Sequence, residues 1–333
     1  MFCQRDGFVA LALGAWFLPV LGPATAHAQL WTWTREQTIE YTPAWTGERF
    51  PDGRPKVSDG LLARARGLSS EEITINWAAA PAGRGGGAAP AGRGGAPGGG
   101  GAAGRGSPYS QYTDGWQVLH PDKKMVGRAF TVAFMPARPD LDAVVNAKAK
   151  QKGIDHLQNQ TVIDMLQPGD VLVVDLYGKK EGGTIVGDNL FHYIMRATKS
   201  AGLVVDGGMR DLEGIMEMEM PAYYRTLHPS AIGGVSVAAV NVPIRIGNAT
   251  VMPGDVVIGD PEGVSFVPPQ FIEGIVDRAD STHIHDEWTK KKFDEGKYKS
   301  SEIYSTPTDP ALLKEYQDYL KRRLEEIRKQ NGQ

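Results

Sequence analysis

Two rhythms of apolar residues alternate along the middle of the chain. "MVGRAFTVAFMP" (125–136) reads as a strand, and "PDLDAVVNAKAKQKG" as a helix with Pro139 and Asp140 at its start. "PGDVLVVDLYG" then makes a turn at Pro168-Gly169-Asp170 and runs into Val171 to Val174, a continuous apolar stretch suited to a strand buried on both faces. In "GDNLFHYIMRATKSAGLVVDGGMRD" (187–211), Leu190, Tyr193, Ile194 and Ala197 recur at helical spacing from Asn189 to Lys199, and a buried strand "GLVVD" follows. The spacing puts Asp188 where a carboxylate caps a helix, and it puts Asp211 in the same position before "LEGIMEMEM", after a Gly207-Gly208 turn.

Further on, "IGGVSVAAVNVPIRIGNATVMPGD" is a run of short strands punctuated by Gly, Pro and Asn, which predicts a β-rich layer. "MPGDVVIGDPEGVSFVPP" (252–269) echoes the earlier Pro-Gly-Asp turn and strand, an echo that similar local demands explain as well as duplication does. Helical patterns run through "FIEGIVDRADSTHIHDEWTKKKFDEG" and the charged "PALLKEYQDYLKRRLEEIRKQ". Ahead of all this, a Trp-, Thr- and Pro-rich arm leads to "VSDGLLARARGL", a helix that Ser58 or Asp59 caps. Strand-helix alternation with helical outworks makes the fold class a layered α/β domain.

Composition narrows the partners. A net charge of -3 over 333 residues leaves no basic excess for nucleic acid or an anionic membrane surface, so small molecules are the expected partners. Residues 1–28 carry Arg5, an apolar run from Phe8 to Leu21 and Ala26-His27-Ala28, the pattern of an export signal cleaved before Gln29, so the protein is expected in the periplasm or outside the cell with no membrane anchor after cleavage. The one cysteine, Cys3, lies inside that leader, and the mature chain then has no disulfide, thiol nucleophile or thiolate metal site. Residues 78–108 contain only Ala, Pro, Gly, Arg and Ser, which have too little apolar surface to offset the entropy of ordering. Their Gly-Arg-Gly units lack the interleaved aromatics of single-strand binders, and a plain flexible insert is expected. The domain plan is a leader (1–28), an arm (29–56), the main α/β domain (57–280) holding that insert, and a helical extension (281–333).

Candidate chemistry concentrates at 187–211. Arg210 stands at the end of a buried strand beside an acid, and strand ends next to helix N-termini are where open α/β folds bind anions. The unit offers the backbone amides of Asn189 and Leu190, one guanidinium, and the carboxylates of Asp188 and Asp211.

"GDNL", "GLVVDGGMRD" and "PGDVVIGDPEGVSFVP" together resemble the RraA-like proteins and the class II 4-hydroxy-4-methyl-2-oxoglutarate aldolases, over roughly Val57 to Asp280 and most strongly from Pro168 to Pro269. The resemblance implies an α/β/α sandwich of the swivelling type in a homotrimer or hexamer with sites at subunit boundaries. It implies that Gly187, Asp188, Asn189 and Leu190 hold the carboxylate of a small 2-oxo acid, that Arg210 contacts it, and that Asp211 ligates Mg2+ or Mn2+ through a water-rich shell. The activity implied is a retro-aldol cleavage releasing pyruvate, with oxaloacetate decarboxylation through the same enolate; Asp188 would orient the water that takes the 4-hydroxyl proton. The alternative on the same scaffold is a non-catalytic regulatory or binding protein. One residue more than the family spacing separates Asp188 from Arg210, near "ATKSAG", where a link tolerates it.

The cluster "STHIHDEW" offers His283, His285, Asp286 and Glu287, but residues two apart on a helix diverge, so only His283 and Glu287 share a face. By the resemblance, Glu287 is the acid a neighbouring subunit would lend to the metal's waters, with Asp286 next; a solvated helix face is the plainer reading. His192 is expected on a helix face, and Met216, Met218 and Met220 in packing. No glycine-rich loop with a following acid supports nucleoside binding of the methyltransferase kind.

Overall fold

The structure, a computed structural model, describes residues 32–78 and 111–330. The leader, its cleavage site and residues 79–108 of the glycine-rich insert lie outside the described residues. Three helices come first: α1 (Arg35–Glu40), α2 (Asp59–Ala65) and α3 (Ser70–Ala78). Strands β1 (Tyr112–Thr113), β2 (Gln117–Leu119) and β3 (Met125–Pro136) follow, then α4 (Pro139–Gln151), α5 (Asn159–Ile163), β4 (Asp170–Thr184), α6 (Asp188–Thr198), β5 (Leu203–Met209), α7 (Leu212–Ile215) and β6 (Ala222–Leu227). The chain ends with β7 (Val235–Val240), β8 (Ile244–Ile246), β9 (Ala249–Val251), β10 (Val256–Asp260), β11 (Gly263–Val267), α8 (Pro269–Asp294), α9 (Ser300–Ile303) and α10 (Pro310–Gln330).

The main sheet runs β1-β11-β10-β3-β4-β5-β6-β2, with β7 paired to the far end of β3. Its centre, β3 to β6, is parallel, as chain segments joined by helical crossovers must be, and the flanking pairs are antiparallel. The apolar runs become strands buried on both faces: Val174 and Val205 pack into a core under α4 to α7, while Val173 and Val204 face a second core under the β8–β9 hairpin. A third cluster joins Val256, Ile258 and Val126 to α2, α3 and α8. Each buried aliphatic side chain contributes about 1.5–3 kcal/mol over its exposed state. The fold is therefore the expected layered α/β domain with a helical C-terminal extension.

Several local expectations change. Gly207 and Gly208 make no turn; they lie within β5, opposite the irregular second half of β4. A Cβ on Gly207 would meet Gly183 O and Leu176 Cβ, both at 2.9 Å, so the pair serves close strand approach. The buried stripe of α6 is Phe191, Ile194 and Thr198, and Tyr193 is exposed. Helix α8 runs unbroken through residue 280, where a domain boundary was expected, and Trp288, Ile303 and Leu312 form the core that ties it to α9 and α10.

The Pro-Gly-Asp echo is one turn geometry used twice. The Asp170 carboxylate accepts the Gln167 N–H at 2.9 Å and the Asp255 carboxylate accepts the Met252 N–H at 2.8 Å, with Gly169 and Gly254 left-handed at φ 83° and 88°. The N-terminal arm reaches both turns. Arg54 donates to Asp170 at 2.9 Å from a fully buried position, and Pro55 packs on Gly254. Ser58, of the two capping candidates, accepts the Leu61 N–H and caps α2.

Candidate active site

The site assembles where β5 ends and α6 begins. After Met209 the backbone turns through Asp211 at φ 57°, ψ 38°, a left-handed conformation that costs a non-glycine residue energy and that Asp tolerates better than most. Asp211 stands at the N-cap of α7, where its carbonyl accepts the N–H groups of Gly214 and Ile215, both at 3.1 Å. Contrary to expectation its side chain makes no capping bond. The carboxylate instead faces Arg210, with Nη1 at 3.4 Å from Oδ2, and both side chains are about one third exposed. Arg210 Nε is buried and has no partner among the described residues, so the guanidinium retains unused hydrogen-bonding capacity.

Helix α6 meets this pair end-on. Gly187, not Asp188, is its N-cap, and Asp188 is the first helical residue. The Asp188 carboxylate folds onto its own helix end and accepts the Asn189 N–H at 2.8 Å. That amide is therefore occupied, whereas the sequence reading left it open for a ligand. A Cβ built on Gly187 would stand 2.7 Å from Arg210 Nη2 and would also meet Asp211 Oδ2. Asp188 in turn lies over Gly214, where an added Cβ would be 3.4 Å from its Oδ2. Gly187, Asp188, Arg210 and Asp211 thus converge, with Asn189 exposed and Leu190 partly buried against the core. Gly214 was missed from the sequence, although an isolated glycine inside a helical pattern signals close approach.

The donor set bears on which metal fits. Among the described residues no three His, Cys, Asp or Glu side chains stand close enough to form a metal cage. Two neighbouring half-exposed carboxylates suit a hard cation that keeps most of its water. The "STHIHDEW" cluster does not join them: His283 Nε2 pairs with Glu72 Oε1, while Glu287 accepts from Tyr319 at 2.6 Å and from Arg323 at 3.2 Å on the α8–α10 contact. The bond to Glu72 holds the His283 imidazolium above the usual histidine range, against the opposing effect of burial. His192 is exposed on α6, Met220 is buried in the core, and Met216 is exposed.

Residues 105–265 match the family described as "RraA-like: Aldolase/RraA". The chain is 32% identical over 123 residues to a Halalkalibacterium halodurans protein named "Putative 4-hydroxy-4-methyl-2-oxoglutarate aldolase", a stretch covering 36% of this chain and 56% of that one. It thus spans little more than half the length of this curated relative. The solved structure of Streptomyces coelicolor RraAS2, described as an unusual member of the RNase ES inhibitor RraA protein family, superposes with a TM-score of 0.52 at 26% identity, covering 73% of this chain and 100% of that one. An uncharacterized Pseudomonas syringae pv. tomato protein shares the fold at a TM-score of 0.54 and 19% identity, over 76% of this chain and 96% of that one.

Proposed function

We propose that this chain, a member of the RraA-like family through residues 105–265, is a divalent-metal-dependent carbon–carbon lyase that cleaves a 4-hydroxy-2-oxo acid to pyruvate and a second carbonyl compound. The observation that carries the reading is the packing of Arg210 and Asp211 on the bare α-carbon of Gly187, beside Asp188. A guanidinium with unused donors at a helix N-terminus suits the carboxylate of a 2-oxo acid. Asp211, with Asp188 beside it, would hold Mg2+ or Mn2+, and the bound ion supplies Lewis-acid stabilisation of negative charge on the keto oxygen.

In the cleavage the 4-hydroxyl loses its proton to a water oriented by Asp188, and its C–O bond becomes a carbonyl. The C3–C4 electron pair moves into the pyruvate enolate, whose oxygen Arg210 stabilises, and protonation at C3 completes pyruvate. Loss of carbon dioxide from oxaloacetate passes through the same enolate. The leader-like pattern of residues 1–28 supports a reaction in the periplasm or outside the cell, and a homotrimer or hexamer would close the site at subunit boundaries. Glu287, the acid a neighbouring subunit would lend to the metal's waters, is held in its own chain by Tyr319 and Arg323.

A second reading, a non-catalytic regulatory protein, draws support from the description of the Streptomyces relative's family as an RNase inhibitor family. One experiment separates the two. Purified protein from Gln29 onward is assayed for pyruvate release from 4-hydroxy-4-methyl-2-oxoglutarate and from oxaloacetate, with Mg2+ or with EDTA, beside Asp211→Ala and Arg210→Ala. Metal-dependent release lost in both variants supports the lyase; no release above the variants in folded protein removes the aldolase reading for these substrates.

A further inference from the structure

Away from the Gly187–Asp211 site, a half-open cavity of about 320 Å³ lies between α4, the segment before α5, and the start of β7. None of the proposed catalytic residues lines it. Its volume falls within the range of small-molecule sites. Phe134, Val145, Leu157 and Val237, all buried in the main core, form an apolar wall, and Asp142, Asn146, His156, Gln158, Asn159 and Ser236 supply a polar lining of similar extent.

Among those polar groups Asp142 is the one carboxylate and His156 the one side chain able to carry positive charge. Asp142 lines the cavity, half-buried, and no hydrogen bond or ion pair to its carboxylate is found among the described residues. The arginine nearest in sequence, Arg138, is occupied by Asp140 at 2.8 and 2.9 Å. No Lys or Arg lines the cavity, and Asp142 stands in the first turn of α4, whose dipole eases its charge. On the β7 side Ser236 is 8% exposed, and its Oγ is buried with no partner. A buried hydroxyl without a partner is costly, and the cavity that Ser236 lines is where a partner can come from. No guanidinium lines this cavity and a carboxylate does, which separates it chemically from the Arg210 site.

We propose that this cavity is a second ligand site, one that takes a small organic cation: an apolar body of about ten heavy atoms against Phe134, Leu157 and Val237, with its ammonium on Asp142. The inference stands independently of the lyase reading, because no residue is shared between the two sites.

The test is calorimetric titration of the purified full chain with three near-isosteric probes, phenethylamine, 2-phenylethanol and 3-phenylpropionate. The amine is expected to bind saturably, the alcohol at least about tenfold more weakly, and the carboxylate not measurably. Asp142→Asn, a change of charge without change of shape at a half-exposed position, is expected to lower amine affinity about tenfold and to erase the preference over the alcohol. Arg210→Ala is expected to leave amine binding unchanged. Equal affinity for amine and alcohol, an unchanged affinity in Asp142→Asn, or no saturable amine binding up to about 10 mM would each overturn the proposal.

Discussion

The α-carbon of Gly187 is the floor on which the Arg210 guanidinium rests: a methyl group added there would stand 2.7 Å from Nη2 and 3.1 Å from Cζ. The backbone at Gly187, φ -107° and ψ -171°, is open to any residue, so the requirement for glycine is space, not conformation. Gly187→Ala should therefore fold normally while pushing the guanidinium aside. Turnover is expected to fall on the order of tenfold to a hundredfold, the scale of an ångström-sized misplacement, with little change in Tm. Steady-state kinetics beside a thermal melt measure both; a native rate in the alanine variant would remove Gly187 from the site.

Asp211 separates charge from backbone. Asn tolerates the left-handed conformation nearly as well as Asp, whereas Ala at φ 57° carries a strain of roughly 1–2 kcal/mol. Asp211→Asn is expected to keep native stability and to lose both pyruvate release and the response to added Mg2+. Denaturant midpoints with a metal titration of the rate check this, and retained metal response in the Asn variant would place the ion elsewhere.

Arg210 offers a graded comparison. Arg210→Ala is expected to cost about a hundredfold to a thousandfold in kcat, as loss of a preorganised oxyanion partner does. Arg210→Lys keeps the charge but lacks the planar fork, so it should recover only part of that loss. Full recovery by Lys would mean that charge alone matters, and pre-steady-state rates with oxaloacetate would measure it.

The arm is held by an ion pair out of reach of water. Arg54 and Asp170 meet at 2.9 Å with side chains 1% and 0% exposed, and Arg54 also takes Asp52 at 2.7 Å. Removing one partner strands the other's charge in the core, and Arg54→Met is expected to cost about 3–5 kcal/mol in chemical denaturation. The double variant Arg54→Met, Asp170→Leu should recover much of this, since no lone charge then remains.

Burial gives the second Pro-Gly-Asp turn a pH signature. Desolvation pushes the Asp255 carboxyl up to about 7 from an ordinary 3.8, against the opposing bond from the Met252 N–H. Below about pH 4 both folded and unfolded chains hold this proton. Between there and pH 7 only the folded chain holds it, so its contribution to stability falls as pH rises and then levels off. Asp255→Asn removes that slope, and the variant should gain on the native protein by on the order of a few kcal/mol between pH 5 and pH 8. Parallel urea titrations at the two values test it; an unchanged difference would mean that Asp255 is ionised throughout.

What the amino-acid order determined by itself was local. Continuous apolar runs such as Val171–Val174 specify strands buried on both faces, Pro139 starts α4, and the Pro-Gly-Asp echo specifies one turn twice, because each depends on neighbours within a few residues. Position errors of one residue, such as Asp188 for Gly187 as the N-cap of α6, arise where Asp and Gly are both acceptable caps. Tertiary structure decided the rest. Gly207-Gly208 reads as a turn by composition, yet it lies in β5 because the bulged end of β4 comes too close for any side chain. Phe191 rather than Tyr193 faces the core, because the direction of the sheet, not the spacing alone, selects the buried stripe of α6. The approach of Gly187 to Arg210, twenty-three positions apart, depends on β4 and β5 lying side by side, and that of Arg54 to Asp170 on the arm docking at the start of β4, relations no local pattern encodes.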